Sequence, residues 1–260
     1  MRTVLCHYHI YKNAGTSFDH VLTNSFGTRH LSFDGPFPFF TIDQEQLDRI
    51  IGRRAEAVAF SSHQIQLPPP KSGAYRVVSV VFLRHPLLRV ASIWRFKSRA
   101  PDGTPTSEAA RAMPFDRWVE HCLSDPDEIV HVSNAQARLL SCAPRERAAA
   151  RRHPGRMDYD IARAEDNLAG ATAAGLADRF SDDIARIAGI CAGYGLDLAV
   201  PADLHLNATA PLALSPAARV AEVAGMLGPS LAERLTAAND QDLRLLALAE
   251  RRAAPRPEAA

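Results

Sequence analysis

A nine-residue stretch near the start of the chain, His9 to Ser17 (HIYKNAGTS), contains the parts of an anion-binding site. Lys12 offers a compact positive charge, Gly15 lets the backbone approach a ligand closely, and Thr16 and Ser17 offer hydroxyl groups. The stretch lies between a predicted strand and a predicted helix, and the free N–H groups and dipole of a helix start favour an anion. Its lysine precedes its glycine, unlike the order G-x-x-x-x-G-K-S/T, which disfavours an ordinary nucleotide hydrolase. The alternative is a simple capped turn with Thr16 or Ser17 as the N-cap residue.

A second stretch, Phe82 to Ser92 (FLRHPLLRVAS), begins at the end of Tyr75–Leu83, the strongest predicted strand of the chain. Arg84 stands at the carboxyl end of a predicted central strand, which is the edge where open α/β sheets bind ligands. Pro86 is suited to the first turn of the helix that follows. An arginine fork with the hydroxyl of Ser92 would suit a second phosphate, and surface charge beside a helix start is the alternative.

His63 is the candidate general base. It follows a short apolar segment, Ala57 to Phe60, and a parallel sheet would bring the end of that strand close to the first stretch. An unperturbed imidazole titrates near neutrality, which suits proton abstraction, although a lone histidine is more often structural. His7 and His9 share one face of the first strand, but we predict no metal site from them.

Composition limits the possible functions. The chain has 260 residues and a formal net charge of +1, which argues against a general nucleic-acid binder. Only three of the 30 basic residues are lysines, so Lys12 is a rare residue type placed where a point charge is useful. The four cysteines are widely spaced with no CxxC pair, and no apolar run reaches the length of a membrane span. We therefore expect a cytoplasmic protein with free thiols and no membrane span.

The pattern of elements predicts an α/β fold with a central parallel sheet, helices on both faces and a mainly helical C-terminal half. We predict a single domain over residues 1–252 and a disordered tail over 253–260. The predicted strands are Thr3–Ile10, Ala57–Phe60, Tyr75–Leu83 and Ala173–Ala177. The predicted helices begin at Thr16 and Pro86 or span Asp43–Arg53, Phe115–Leu123, Asn134–Leu140, Asp160–Leu168, Phe180–Ala192, Ser215–Leu227 and Leu231–Arg252, and Pro101–Ser107 is predicted to be a loop.

The two stretches together resemble the sulfotransferases that use 3′-phosphoadenosine 5′-phosphosulfate (PAPS), in their carbohydrate-modifying, Golgi-type branch. The signatures of that family are close to H-x-P-K-x-A/G-G-T-S/T and F-x-R-D/N-P-x-x-R-x-x-S. Weaker similarity continues in SNAQARLL from Ser133, in GLADRF from Gly175 and in the last predicted helix, so that it covers about residues 3–252. Tyr11 replaces the usual proline and His85 the usual acidic or amide residue, which we expect to alter loop stiffness rather than binding.

The resemblance implies a P-loop-like phosphosulfate loop and a role for each matching residue. Lys12 would stabilise the leaving phosphate during in-line transfer, and His63 would accept the proton of the acceptor hydroxyl. Arg84 and Ser92 would hold the 3′-phosphate, and Thr209 would close over the nucleotide. The residues implied for the 5′-phosphosulfate are Lys12, Asn13, Ala14, Gly15, Thr16 and Ser17, and those implied for the acceptor are Asn134, Gln136 and Arg138.

The implied reaction is transfer of a sulfuryl group from PAPS to a hydroxyl of a saccharide or glycoconjugate, with no metal required. A sulfuryl group carries less charge than a phosphoryl group, which gives a physical reason for the missing metal. Two alternatives stay open. One is a nucleotide-dependent phosphotransferase with an atypical loop, and the other is a non-catalytic nucleotide-binding relative. The sequence does not identify the acceptor or the oligomeric state.

Overall fold

A computed structural model describes residues 1–37, 40–141, 159–201 and 214–253. Its centre is a five-stranded, all-parallel sheet with the strand order β2-β3-β1-β4-β5, which confirms the predicted α/β fold. The strands are β1 (Arg2–Tyr8), β2 (His30–Ser32), β3 (Ala59–Ser62), β4 (Tyr75–Leu83) and β5 (Ala173–Leu176). The sequence predicts all of them except β2, which has only three residues.

Within the described ranges the chain forms eleven α-helices. They are α1 (Gly15–Phe26), α2 (Gln44–Arg53), α3 (Pro86–Lys97), α4 (Pro105–Ala112), α5 (Phe115–Ser124), α6 (Ala135–Ser141), α7 (Ile161–Gly170), α8 (Phe180–Ala192), α9 (Pro216–Leu227), α10 (Pro229–Ala237) and α11 (Asp240–Ala253).

Two of the element predictions are wrong. The predicted loop Pro101–Ser107 contains the start of α4, because the Thr104 side chain accepts from Ser107 N and caps a helix that has proline in its first turn. The predicted helix Leu231–Arg252 is two helices that break at Asn239. The side chain of Asn239 donates to the carbonyl oxygens of Leu235 and Val132, which ends α10.

Contacts divide the chain into two compact units. The first contains Met1–Leu83 together with the described parts of Glu165–Leu206 and Leu245–Ala260, and it holds the whole sheet. The second contains the described parts of Arg84–Ala164 and Asn207–Arg244 and is helical. That the two fold as a single domain stays a prediction. Of the predicted tail over 253–260, Ala253 is the last residue of α11, and residues 254–260 lie outside the described residues.

One face of the sheet is covered by α1 and α8. Leu5 of β1 and Phe82 of β4 are completely or almost completely buried, and they belong to one apolar cluster with Phe18 of α1 and Ile184 of α8. Burying a side chain of this size stabilises the fold by about 1.5–3 kcal/mol. This packing fixes α1 against β1 and so positions the loop that joins them.

The strand order creates a switch point between β1 and β4. The chain leaves β1 toward β2 on one side of the sheet, and it leaves β4 toward β5 on the other. Tyr8 at the end of β1 pairs with Val81 and with Ser62, so the carboxyl ends of β1, β3 and β4 meet at one edge. Ligands of open α/β sheets bind outside the carboxyl ends of the strands at such a point.

Two further features concern the helices and the cysteines. In the part of the chain that the structure describes, no helix has both the length and the apolar character needed to cross a membrane. Cys6, Cys122 and Cys191 are buried and unpaired, whereas Cys142 lies outside the described residues.

Candidate functional site

The loop between β1 and α1 has an unusual backbone. Lys12 and Ala14 both adopt the left-handed conformation, with φ of 66° and 61°. That conformation costs a non-glycine residue about 1–3 kcal/mol and clusters at functional sites. The side chain of Asn13 anchors the loop between these two residues, because it is buried and its Nδ2 donates to the carbonyl oxygen of Phe82 at 2.9 Å.

Helix α1 begins without a side-chain cap. Its N-cap residue is Ala14, which has no side-chain acceptor for the N–H groups of the first turn. The alternative of a turn capped by Thr16 or Ser17 is therefore wrong. Thr16 is exposed and Ser17 is buried, both within the first turn of the helix. An uncapped helix start that follows a lysine is suited to an external anion.

Gly15 is required by the ring of His9. A Cβ atom placed on Gly15 would lie 1.9 Å from both Nε2 and Cδ2 of the His9 ring, far inside contact distance. The imidazole of His9 therefore occupies the space that any larger residue would need at the start of α1. The shape of the loop depends on this pair.

Asp19 of α1 joins two histidines. His7 Nδ1 lies 2.8 Å from Asp19 Oδ1, and His9 Nδ1 lies 3.3 Å from Asp19 Oδ2. Burial lowers the pKa of His7 to about 4 against the opposing effect of Asp19. Burial alone would raise the pKa of Asp19, but the hydrogen bonds from His7 and His9 outweigh it and hold that pKa well below its usual value. At neutral pH the carboxylate is therefore ionised and His7 is neutral.

His63 and Asp34 form a second imidazole–carboxylate pair. His63 Nδ1 lies 3.1 Å from Asp34 Oδ2, and the His63 backbone N–H donates to Asp34 Oδ1 at 3.0 Å. Ser62 Oγ also donates to Asp34 Oδ1, at 2.8 Å. The carboxylate thus fixes the proton of His63 on Nδ1 and leaves Nε2 as the basic nitrogen.

The environment of His63 suits a base. Its side chain is 43% exposed, and its ring stacks on that of His9 with centroids 3.8 Å apart. Burial and the neighbouring His9 lower the pKa of His63, and Asp34 opposes this only in part. His63 is therefore in its neutral form at physiological pH. Through His9 it is connected to Gly15 and so to the loop.

A cavity opens beside Asp34. Its walls include the aromatic rings of Phe33 and Phe40 and the side chains of Arg49 and Arg53, along with Gly35, Ile42, Gln46 and Ile50. Apolar rings next to basic side chains can bind a molecule that has both nonpolar and polar faces. Because Asp34 lines the cavity and also binds His63, the candidate base lies next to this space.

The second predicted loop begins at Arg84, directly after β4. The Arg84 backbone is held at both ends by one buried side chain, because its N–H donates to Gln136 Oε1 and its carbonyl oxygen accepts from Gln136 Nε2, each at 2.9 Å. Arg84 itself is half-buried, and Ser92 on α3 is 5% exposed. Arg89 lies between these two residues in the sequence and is buried. It donates to the carbonyl oxygen of His131 at 3.3 Å.

The three residues predicted to contact the acceptor are buried in internal networks. Gln136 binds Asp242 through Nε2 as well as the Arg84 backbone. Asn134 has a positive φ of 41°, and its Nδ2 donates to Tyr159 Oη at 2.8 Å. Arg138 donates to the carbonyl oxygen of Ser133 at 2.6 Å. These contacts organise the second unit, so the acceptor role predicted for the three residues gains no support from their positions.

The structure thus brings the loop containing Lys12 and the candidate base His63 to one edge of the sheet through His9. Thr209 lies outside the described residues. The sequence did not predict Asp19 or Asp34. Asp19 lies one turn after Gly15 on α1, a spacing that could have placed it beside the histidines of β1. Asp34 follows β2, which was too short to recognise.

Comparison with known proteins adds one relative. No family model matches the chain. An uncharacterized protein of Archaeoglobus fulgidus is 30% identical over 138 residues, which is 51% of this chain and 54% of that protein. The chain therefore spans about half the length of this relative, whose description carries no activity.

Proposed function

We propose that the protein is a PAPS-dependent sulfotransferase that acts on a hydroxyl group of a saccharide or glycoconjugate. The observation that carries the proposal is the β1–α1 loop. In this loop Lys12 and Ala14 are left-handed, and an uncapped helix start follows them at the switch point of a parallel sheet. The resemblance of this loop and of the Arg84 stretch to the sulfotransferase signatures supplies the identity of the anion.

The proposed ligand contacts divide between the two stretches. The 5′-phosphosulfate would be held by the first turn of α1, with Lys12 at the bridging oxygen, where negative charge builds as the leaving group departs. A fixed cation at that oxygen stabilises the transition state more than the ground state. The 3′-phosphate would be bound by the guanidinium of Arg84, with Ser92 as the second proposed contact.

The chemical step needs one proton acceptor. The acceptor oxygen attacks sulfur, its bond to sulfur forms, and the bond between sulfur and the bridging oxygen of the 5′-phosphate breaks. The hydroxyl proton moves to Nε2 of His63 while Asp34 holds the proton on Nδ1. The products are the sulfate ester and 3′-phosphoadenosine 5′-phosphate (PAP). We place the acceptor in the cavity beside Asp34, where the Phe33 and Phe40 rings can pack on the nonpolar face of a sugar.

The test of nucleotide binding is thermal unfolding in the presence of PAP. A ligand that binds only the folded state at 100 times its Kd stabilises it by about 2.7 kcal/mol, so a clear rise in Tm is expected. Lys12→Ala should remove most of this rise. Lys71→Ala is the matched control, because Lys71 is an exposed lysine of a loop in the same unit. An unchanged Tm at millimolar PAP would overturn the proposal.

Competing ligands separate the alternatives. Stronger stabilisation by ATP with magnesium than by PAP would support an atypical phosphotransferase instead. Stabilisation by PAP without consumption of PAPS over a panel of saccharides would support a non-catalytic relative. The unpaired Cys6, Cys122 and Cys191 are typical of a reducing compartment, which supports a cytoplasmic location for the reaction.

A further inference from the structure

We infer that His7, His9 and Asp19 form a binding site for a divalent transition-metal ion of the zinc class. His7 and His9 are two residues apart, so both side chains lie on one face of the strand and its extension. Asp19 comes from α1, which packs against that face. One ligand atom from each of the three residues lies within 4.8 Å of the other two.

The spacing is close to that of a coordinated ion. Bonds of about 2.0–2.1 Å to nitrogen and oxygen place the ligands of a tetrahedral zinc ion about 3.3 Å apart. His9 Nδ1 and Asp19 Oδ2 are 3.3 Å apart, and His7 Nδ1 and Asp19 Oδ1 are 2.8 Å apart. A small outward movement of the carboxylate therefore brings the shorter of these two pairs to the spacing of coordinated ligands, which is one of the two adjustments that an ion requires.

A fourth candidate ligand, the hydroxyl oxygen of Ser61, lies next to these three residues. Ser61 Oγ lies 3.3 Å from His7 Nδ1 and 3.1 Å from His30 Nε2. His30 can therefore orient the hydroxyl, as outer groups commonly orient metal ligands. Ser61 or a water molecule would complete four-coordination.

The donor types indicate which ions fit. Two imidazoles with one carboxylate favour Zn²⁺, Co²⁺ or Fe²⁺, whereas Mg²⁺ and Ca²⁺ prefer sites made only of oxygen ligands. Coordination of a neutral imidazole through Nδ1 places its proton on Nε2. The two rings are stacked at an interplanar angle of 20°, and one of them must turn for both Nδ1 lone pairs to meet at one ion.

The sequence alone predicts no metal here, because Asp19 joins the two histidines only in the folded chain. An ion at this position would tie β1 to α1 directly beneath the loop that carries Lys12. It would also add positive charge under the helix start, where an anion is proposed to bind. The site is independent of the sulfotransferase proposal, since its ligands are not the residues assigned to PAPS.

The test is metal titration of the untagged full chain after treatment with a chelator. Addition of Co²⁺ should produce the d–d absorption of a four- or five-coordinate ion at a stoichiometry of one, and Zn²⁺ should displace it and raise Tm. Asp19→Asn and His9→Asn should each weaken Co²⁺ binding by at least about 10–100-fold. His20→Ala is the matched control, because His20 is an exposed neighbour of Asp19 on α1.

Three outcomes would overturn the inference. They are the absence of stoichiometric Co²⁺ absorption with folded wild-type protein, equal binding by wild type and Asp19→Asn, and loss of binding in His20→Ala alone. Circular dichroism of each variant shows whether it is folded. If His9→Asn does not fold, Asp19→Asn and His7→Asn decide the question, and PAP binding measured in the same samples reports separately on the sulfotransferase proposal.

Discussion

Contacts between single residues define the site, and one of them is the packing of the His9 ring beside Gly15. The His9 ring fills the volume of the missing side chain, while Asp19 holds its other edge. The loop therefore has its shape because one residue is small and another is held against it. A signature glycine at this position has a specific physical reason in this chain.

We predict that Gly15→Ala strongly destabilises the protein and abolishes PAP binding, because a methyl group would overlap the His9 ring. The double variant His9→Ala/Gly15→Ala should recover a large part of the lost free energy of unfolding, since the overlap is removed. Urea unfolding of wild type, His9→Ala, Gly15→Ala and the double variant gives the coupling energy between the two positions, expected to be about 1–3 kcal/mol.

Gly52→Ala is the control for that experiment. Gly52 lies within α2, and a Cβ there would meet no atom within 4 Å, so this change should be neutral or stabilise by up to about 1 kcal/mol. Strictly additive effects of the His9 and Gly15 substitutions would show that the overlap is not what makes Gly15 necessary.

A second prediction at this scale concerns Asp34 as a positioning residue for His63. Asp34→Asn keeps the size of the side chain but no longer fixes the proton on Nδ1 of His63. We expect kcat for sulfuryl transfer to fall by about 10²-fold or more, with KM for PAPS and the free energy of unfolding little changed.

Steady-state kinetics with Glu56→Gln as the control checks this prediction. Glu56 is an exposed acidic residue of the same unit, and its replacement should leave kcat unaltered. A parallel fall of stability and kcat in Asp34→Asn would assign Asp34 a structural role instead.

At the scale of elements, α1 is a helix that begins from a left-handed alanine with no capping side chain. We predict that Ala14→Gly raises the free energy of unfolding by about 1 kcal/mol, because glycine adopts this conformation without the steric cost. Ala221→Gly, at an exposed position within α9, should lower it by about 1 kcal/mol. Urea unfolding measures both, and a loss of stability in Ala14→Gly would mean that the strain is not relieved at this position.

The success of the element predictions follows from the strength of local patterns. The nearly continuous apolar run Tyr75–Leu83 and the amphipathic segment Phe180–Ala192 coincide with β4 and α8. The strand β2 could not be recognised, because three residues carry no periodic pattern. The break at Asn239 contains no glycine or proline and depends on hydrogen bonds to distant residues.

The candidate site likewise contains residues that a local pattern predicts and residues that only a contact in the folded chain identifies. Lys12, Arg84 and His63 could be selected because they stand where predicted strands end. Asp34 could not, since its pairing with His63 depends on the register between β2 and β3. The spacing of residues locates groups within one loop, whereas the fold decides which loops meet.

For the whole molecule, stability should depend on pH through histidines that folding removes at least partly from water, among them His131, whose side chain is 27% exposed. Burial, with the nearby charges of Arg89 and Lys97, lowers the pKa of His131 to about 4 from its ordinary value of 6.5. Between these values the unfolded chain binds a proton that the folded chain does not, so stability is lost as the pH falls. The contribution of this one residue is at most about 3 kcal/mol.

We therefore predict that the free energy of unfolding falls between about pH 6.5 and about pH 4.5, and that His131→Asn makes this fall less steep. Urea unfolding of both proteins across this range measures the difference. His121→Asn serves as the control at a neighbouring helix position. Identical pH profiles for wild type and His131→Asn would contradict the prediction.

The hold of Gln136 on the Arg84 backbone has a consequence for biosynthesis. The same Gln136 amide donates to Asp242, a residue 106 positions further along the chain. A growing chain on the ribosome can form the sheet strands β1 to β4 long before Asp242 has been made. The Gln136 amide that holds the Arg84 backbone must therefore wait until 106 further residues have been made before its own partner Asp242 exists, and a truncated chain that ends before Asp242 would lack that partner permanently.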